Sequence, residues 1–161
     1  MSSIYIHIPF CKKRCIYCDF HFVVSKKKVE ELINSIIKEI RTRKDYLKDK
    51  KLSSIYFGGG TPSIISTSLI KKILKTISEV FIITENTEIT IETNPDDINK
   101  KKLDDYFNMG INRLSIGVQS FDDEILKSLN RSHNSLQAKK SIEIALNSQI
   151  KNISVLFKWK C

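Results

Sequence analysis

Several hallmarks of other protein classes are missing from this chain of 161 residues. No apolar run approaches the roughly 20 residues of a membrane span. No signal peptide is visible at the amino terminus, and no internal repeat or low-complexity linker occurs. Glycine and proline are scarce, with five and three residues. A composition that is 41% hydrophobic and 28% charged predicts one soluble, non-transmembrane globular domain.

Acidic residues are also in short supply. The chain has 18 acidic and 27 basic residues, which give a net charge of +9. A basic chain raises the question of a nucleic-acid partner. The lysines, however, are scattered in short runs at expected helix ends and solvent faces, and no aromatic stripe lies between them. We therefore expect solvated helix surfaces and no nucleic-acid partner.

Cysteine is uncommon as well, yet three of the four cysteines are close together. Cys11, Cys15 and Cys18 are spaced C-x3-C-x2-C, so they can converge on one centre. Soft thiolates select iron–sulfur clusters, zinc or copper(I). Structural zinc normally takes four protein ligands, and this segment has three cysteines plus His7 and His21. A four-iron cluster held by three cysteines would keep one iron open for a small ligand.

The cysteines do not have the pattern of a disulfide scaffold. Clustered free thiols fit a reducing cytoplasm, where we expect the protein to be located. Cys161 is far from the other three in sequence and is not expected to be a ligand. A zinc-binding module is the alternative to an iron–sulfur protein at this stage.

The residues around the cysteines resemble a known family. Tyr5-Ile-His-Ile-Pro-Phe-Cys11, with the C-x3-C-x2-C spacing, is similar to the motif of radical S-adenosylmethionine (SAM) proteins. The flanking residues resemble the branch of oxygen-independent coproporphyrinogen III oxidase and the heme chaperone HemW. The resemblance implies that Cys11, Cys15 and Cys18 bind a [4Fe-4S] cluster whose fourth iron is ligated by SAM. It also implies that the reduced cluster cleaves SAM to methionine and a 5′-deoxyadenosyl radical.

The hydrophobic periodicity alternates between strand and helix. Period-two patterns predict strands at residues 4–8, 52–57, 87–92, 112–117 and 152–157. Amphipathic patterns predict helices at residues 28–48, from Ser66 to 80, 98–109 and 122–129, and a last helix capped by Asn134 with Leu136, Ile142, Ala145 and Leu146 inward. This order predicts an α/β fold with a parallel sheet covered by helices. The resemblance implies an incomplete (β/α) barrel of the radical SAM type, with about four β/α units in residues 1–161.

A run of three glycines follows the second predicted strand, at Gly58-Gly59-Gly60-Thr61-Pro62. Glycine permits close approach that a Cβ would forbid, although a plain turn could also use it. Behind the cysteines, the run resembles the glycine-rich motif that contacts SAM. The resemblance implies SAM contacts by Gly59, Gly60 and Thr61, and further contacts by Tyr5, Tyr17, Glu92, Gln119 and Arg131. A solvated strand-end carboxylate is the alternative for Glu92, and His7 and His133 are expected to have structural roles.

The resemblance stops near Val155. Family members continue with an Asp-containing segment, further strands and a C-terminal domain. We expect residues 156–161 to be an aberrant tail from a frameshift or premature stop, and the edge of the last strand to be exposed. Enzymatic activity is therefore uncertain, and an inactive truncated remnant is one of the readings.

Two features favour the heme-chaperone branch. Phe20 stands where the oxidases have a further cysteine, and the motif starts almost at Met1, without the oxidases' extension. The expected partners are SAM, heme or porphyrin, and a heme-acceptor protein. The branch's heme-binding His-Asn-x-x-Tyr motif is not matched at His133-Asn134, so no heme ligand is assigned. The alternative is an oxidase that decarboxylates coproporphyrinogen III in porphyrin biosynthesis.

Overall fold

Residues 2–158 are described by a computed structural model, in which five strands alternate with helices. The strands are β1 (Ser2–Ile8), β2 (Leu52–Gly59), β3 (Glu88–Thr93), β4 (Arg113–Gln119) and β5 (Asn152–Phe157). The helices are α1 (Val29–Thr42), α2 (Thr67–Val80), α3 (Lys100–Asn108), α4 (Asp123–Ser128) and α5 (Ser135–Leu146). Short 3-10 turns at Pro62–Ile64 and Pro95–Asp97 follow β2 and β3. None of the helices described is long and apolar enough to cross a bilayer.

The strands form one parallel sheet in the order β1-β2-β3-β4-β5. Each strand pairs in parallel with the next one in the chain. Every connection therefore leaves the carboxyl end of one strand and leads back to the amino end of the next. Among the described residues β1 and β5 are the two edges and do not pair, so the sheet is open. The prediction of an α/β, incomplete (β/α) barrel is confirmed.

The two faces of the sheet differ in polarity because successive strand residues point to opposite sides. One row of paired residues is apolar and packs under the helices: Ile6, Phe57, Ile91, Leu114 and Ile153. The neighbouring row is polar: Tyr5, Tyr56, Thr90, Arg113 and Asn152. A buried parallel sheet is usually apolar on both faces, so the polar row marks the side of the sheet that is free for a site.

The last helix differs from its prediction. Ala145 is buried and Ile142 packs on the core as expected, but Leu136 and Leu146 are 72% and 62% exposed. The expectation that both leucines point inward is wrong. Small residues at helical spacing, Ala138, Ser141 and Ala145, form the buried stripe, and both leucines lie beside it. The predicted cap is confirmed, since Asn134 forms a capping box with Gln137.

The first helix ends at Thr42, short of the predicted residue 48. Beyond Thr42 the chain turns, with the Tyr46 amide donating to the Arg43 carbonyl, and Leu47 packs on the core from outside the helix. Ser66 occupies the N-cap position of α2, but its hydroxyl pairs with that of Ser68 and not with the helix backbone.

The predicted aberrant tail begins within β5. Leu156 and Phe157 pair with Gly117 and Gln119, and both side chains are about half exposed at the open edge. Residues 159–161, including Cys161, lie outside the described residues. The aberrant origin of residues 156–161 stays a prediction.

The burial pattern predicts unequal effects of one chemical change at two leucines. Leu114→Ala, at a fully buried position in β4, should lower the free energy of unfolding by about 2–5 kcal/mol. Leu136→Ala, at an exposed position in α5, should change it by about 0.5 kcal/mol or less. Urea unfolding followed by circular dichroism measures both. Equal losses would contradict the exposed placement of Leu136.

Candidate functional site

The predicted cofactor residues meet at the carboxyl ends of the strands. A cavity of about 180 Å³ is lined by ten of them: Cys11, Cys15, Cys18, Tyr17, Gly59, Gly60, Thr61, Glu92, Gln119 and Arg131. The loops that follow parallel strands gather at this end of a sheet, which explains how distant segments come together. Tyr5 is the exception among the described residues. It lies lower on β1, half exposed, with its ring stacked on that of Tyr56.

The cysteine loop follows β1 and is fixed by backbone hydrogen bonds. The Cys11 amide donates to the Val23 carbonyl at 3.1 Å, and the Ile16 amide to the Leu129 carbonyl at 3.3 Å. All three thiols are free and partly buried. Within residues 2–158 no three side chains of His, Cys, Asp or Glu are drawn together tightly enough to hold one metal ion as they stand. The thiols therefore share a cavity without forming a converged ligand set.

Two thiols have polar neighbours that would support a thiolate. Thr61 Oγ1 donates to Cys11 Sγ at 3.6 Å, and Arg131 Nη1 donates to Cys15 Sγ at 3.3 Å. Burial nevertheless raises the pKa of Cys11, and the Thr61 hydrogen bond offsets this only in part. Metal binding would thus displace a proton from Cys11. The donor set, three soft sulfurs beside a guanidinium, fits an anionic iron–sulfur cluster.

Arg131 is held by neutral and sulfur partners. Nη2 donates to Asn94 Oδ1 at 2.8 Å and to the Gly117 carbonyl at 2.6 Å, and Nη1 reaches Tyr17 Oη at 3.4 Å as well as Cys15. Its Nε is buried without a hydrogen-bond partner, and no ion pair to it occurs among the described residues. A guanidinium in this state is suited to an anionic ligand group.

Gly59 and Gly60 are required by close packing against β1 and the cysteine loop that follows it. A Cβ on Gly60 would lie 2.9 Å from Cys11 Sγ and 2.8 Å from the Pro9 carbonyl carbon. Gly59 has φ +114°, and a Cβ there would lie 2.7 Å from the His7 ring. These contacts explain the glycines through the protein's own packing. The SAM contacts of Gly59, Gly60 and Thr61 stay predictions.

Glu92 is not a solvated strand-end carboxylate. Its two oxygens accept hydrogen bonds from Tyr56 Oη at 2.9 Å and from the Gly59 amide at 3.2 Å. Burial raises the pKa of Glu92, although both hydrogen bonds act to lower it. Tyr56 is a site residue that the motifs did not reveal. Its position two residues before Gly58, on the same side of the sheet as Glu92, is the signal that could have indicated it.

Gln119 ends β4 with φ 72°, in the left-handed region that non-glycine residues rarely occupy. The register with β5 shifts between Gly117 and Gln119. Strained backbone and bulges are common beside functional sites, because they re-aim a side chain. Here they accompany a Gln119 side chain that lines the cavity.

Two further residues, on either side of Arg131, hold the segment that carries it. Asn130, with φ 56°, donates from Nδ2 to the Arg14 carbonyl at 2.7 Å and so ties the Arg131 loop to the cysteine loop. His133 is buried, and its Nε2 contacts the Val118 carbonyl at 2.9 Å. The structural role expected for His133 is confirmed.

Fold and site together define an α/β protein with an incomplete barrel and a cysteine-lined cavity at the strand ends. Residues 5–158 match the Radical SAM superfamily. The chain belongs to that superfamily, and this membership implies a [4Fe-4S] cluster and SAM as cofactors.

Several curated relatives are bacterial proteins named as heme chaperones. The chain is 41% identical over 143 residues to "Heme chaperone HemW" of Buchnera aphidicola subsp. Schizaphis graminum, covering 88% of this chain and 38% of the relative. It is 37% identical over 159 residues to HemW of Haemophilus influenzae, covering 95% and 42%. The chain thus spans about two fifths of the length of these relatives.

A solved structure gives the same architecture. The chain is similar to coproporphyrinogen III oxidase (HemN) from Escherichia coli, a radical SAM enzyme, with a TM-score of 0.86 and 29% identity. The match covers 95% of this chain and 36% of the oxidase.

The raised pKa of Glu92 predicts how stability depends on pH. The folded chain holds this proton more tightly than the unfolded chain, so ionisation of Glu92 costs stability as the pH rises from about 4 through the folded pKa. The free energy of unfolding of Glu92→Gln should therefore increase relative to that of the parent over this interval. Urea titrations between about pH 4 and pH 8 measure the difference.

The matched control for this experiment is Glu85→Gln, at an exposed position. If the free energy of unfolding of the parent increases relative to that of Glu92→Gln as the pH rises, the result contradicts the burial of Glu92.

Proposed function

We propose that this chain is a HemW-like radical SAM protein of heme metabolism, of the heme-chaperone type, that binds a [4Fe-4S] cluster and SAM. The observation that carries the proposal is the meeting of three thiols, Glu92 and Arg131 in one cavity. Clustered free thiols also support a cytoplasmic location.

In this proposal Cys11, Cys15 and Cys18 hold the cluster. Once bound, the cluster and SAM supply one-electron cleavage of a carbon–sulfur bond. Arg131 offsets the negative charge of the thiolates through its contact with Cys15 Sγ.

The remaining cavity residues would bind SAM. The methionine part of SAM is a zwitterion, and the cavity offers it both charges. No ion pair joins Glu92 to Arg131 among residues 2–158, so each remains available for the opposite charge of a ligand. Glu92 is aimed by Tyr56 and Gly59, and would accept from the SAM ammonium. The other proposed SAM contacts are Tyr17, Gly59, Gly60, Thr61 and Gln119 in the cavity, and Tyr5 outside its lining.

The heme-chaperone branch is supported by Phe20 and by the curated relatives. Because the chain spans about two fifths of those relatives, heme binding and delivery to an acceptor protein are proposed for the whole protein. The structural likeness to coproporphyrinogen III oxidase favours oxidative decarboxylation as a second candidate.

Anaerobic reconstitution with iron and sulfide tests the cluster. We expect iron and sulfide equivalent to one [4Fe-4S] cluster per chain, and a reduced-state electron paramagnetic resonance signal that changes when SAM is added. Ala variants of Cys11, Cys15 or Cys18 should lose the signal, because each removes one thiolate ligand.

Cys161→Ala is the control and should keep the cluster. Tight binding of one zinc ion in place of iron, or a cluster signal that ignores SAM, would contradict the proposal.

A second measurement separates the branches. The reconstituted whole protein with SAM and coproporphyrinogen III should release no more carbon dioxide than its Cys11→Ala variant does, whereas hemin should give it a saturable change in the Soret band. Carbon dioxide release that depends on Cys11 would establish the oxidase instead. If neither carbon dioxide release nor a change in the Soret band is observed, the result favours the inactive remnant.

A further inference from the structure

Lys12 lies inside the cysteine motif, directly after Cys11. Its Nζ contacts Asp96 Oδ2 at 2.8 Å and Asp97 Oδ1 at 2.5 Å. Both carboxylates belong to the 3-10 turn after β3, and their side chains are only 12% and 7% exposed. The cation of the cysteine loop is therefore inserted between two neighbouring carboxylates of another loop.

The two carboxylates reach the other loops of the site. Asp97 Oδ2 accepts from Ser63 Oγ at 2.7 Å, in the turn that follows the glycine run. Asp96 Oδ1 accepts from Ser132 Oγ at 3.1 Å, in the residue after Arg131. One cation thus joins the loops after β1, β2, β3 and α4.

The turn on the β2 side is itself anchored. The amide of Asn94 donates to Ser63 Oγ at 3.1 Å, and Lys102 Nζ donates to the Ser63 carbonyl at 2.7 Å. Asn94 in turn accepts from Arg131, so the network continues to the wall of the cavity. A shift of the cysteine loop away from Asp96 and Asp97 would disturb contacts throughout the site.

This arrangement differs from an ordinary surface ion pair. The Lys101–Asp105 pair on α3 joins side chains that are 86% and 34% exposed, and such pairs contribute little to stability. At Asp96 and Asp97, removal of Lys12 would leave two adjacent, largely buried carboxylates without the one cation that contacts both of them. The local structure therefore has to keep Lys12 in place or rearrange.

We infer that Lys12, Asp96 and Asp97 form a clamp that positions the cysteine loop for cluster binding. The inference rests on the proposed function, because the loop's role as a cluster site is part of that proposal. Lys12 acts as a positioning residue: it holds the segment between two ligands without being a ligand itself.

Hydrogen exchange of the metal-free chain tests the clamp without any cluster. Lys12→Met and Asp97→Asn should each increase exchange at the loop amides of Cys11, Ile16 and Cys18 about tenfold, while strands β2 to β4 keep their protection. Lys12→Met removes a positive charge and Asp97→Asn removes a negative charge. Increased exchange in both variants therefore excludes a simple change of the local electrostatic potential as the cause. The double variant should show little further increase over Lys12→Met, because Lys12→Met already removes the contact between Lys12 and Asp97.

Cluster retention provides the second readout. In a reconstituted chain, Lys12→Met should release iron to a chelator about tenfold faster than the parent, which is the size of effect typical of residues that support metal ligands. Lys12→Arg should restore slow release, and Lys101→Met, the matched surface control, should match the parent.

The outcomes separate the clamp from the proposed function. Unchanged loop exchange in Lys12→Met and in Asp97→Asn would overturn the clamp, whatever the cluster does. If the exchange changes but the parent binds no cluster, the clamp exists and the proposed function fails. Should Asp97→Asn not fold, Asp96→Asn takes its place in the same cycle. Faster exchange with unchanged iron release would overturn the role in cluster binding.

Discussion

Parallel pairing of the strands is the constraint on which the site depends. Because every strand runs in the same direction, the loops after β1, β2, β3 and β4 all emerge at one end of the sheet. Cysteines, glycines, Glu92 and Gln119 are separated by tens of residues in the chain, yet they line one cavity. The apolar residues of the strands share one core cluster with residues of the helices, and the polar row lies on the other side of the sheet.

Two charged side chains of the site, Glu92 and Arg131, are held in position by the protein's own hydrogen bonds. Glu92 is fixed by Tyr56 and Gly59, and Arg131 by Asn94 and the Gly117 carbonyl. Each charge is partly buried, which costs stability unless a partner offsets it. A zwitterionic ligand such as SAM would supply both partners at once. Partial burial of these two charges costs stability, and for the same reason it favours binding of a ligand that carries both opposite charges.

The sheet has an open edge at β5 among the described residues. β5 completes its pairing with β4 but leaves Leu156 and Phe157 half exposed on the other side. An unpaired strand edge with apolar side chains favours a further strand or another chain. The cavity is lined by residues of β2 to β4 and of the segments that follow β1 to β4, and by Leu156 of β5.

The sequence by itself determined the fold class, the alternation of strands and helices, and the three clustered cysteines. Motif spacing placed three cysteines on one loop, and period-two patterns located all five strands within a few residues of their observed ends. Both are local properties of the chain, which is why they could be predicted. Resemblance supplied Glu92, Gln119 and Arg131, which pattern alone could not have distinguished from solvated side chains.

Only the tertiary structure decided the contacts between segments. It showed that Tyr56 aims Glu92, that Lys12 reaches Asp96 and Asp97, and that Tyr5 lies apart from the cavity. It also turned Leu136 and Leu146 outward, because the small residues Ala138, Ser141 and Ala145 set the face of α5 that packs. These outcomes depend on strand register and on packing against neighbouring elements, and the periodicity of a single segment predicts neither of them.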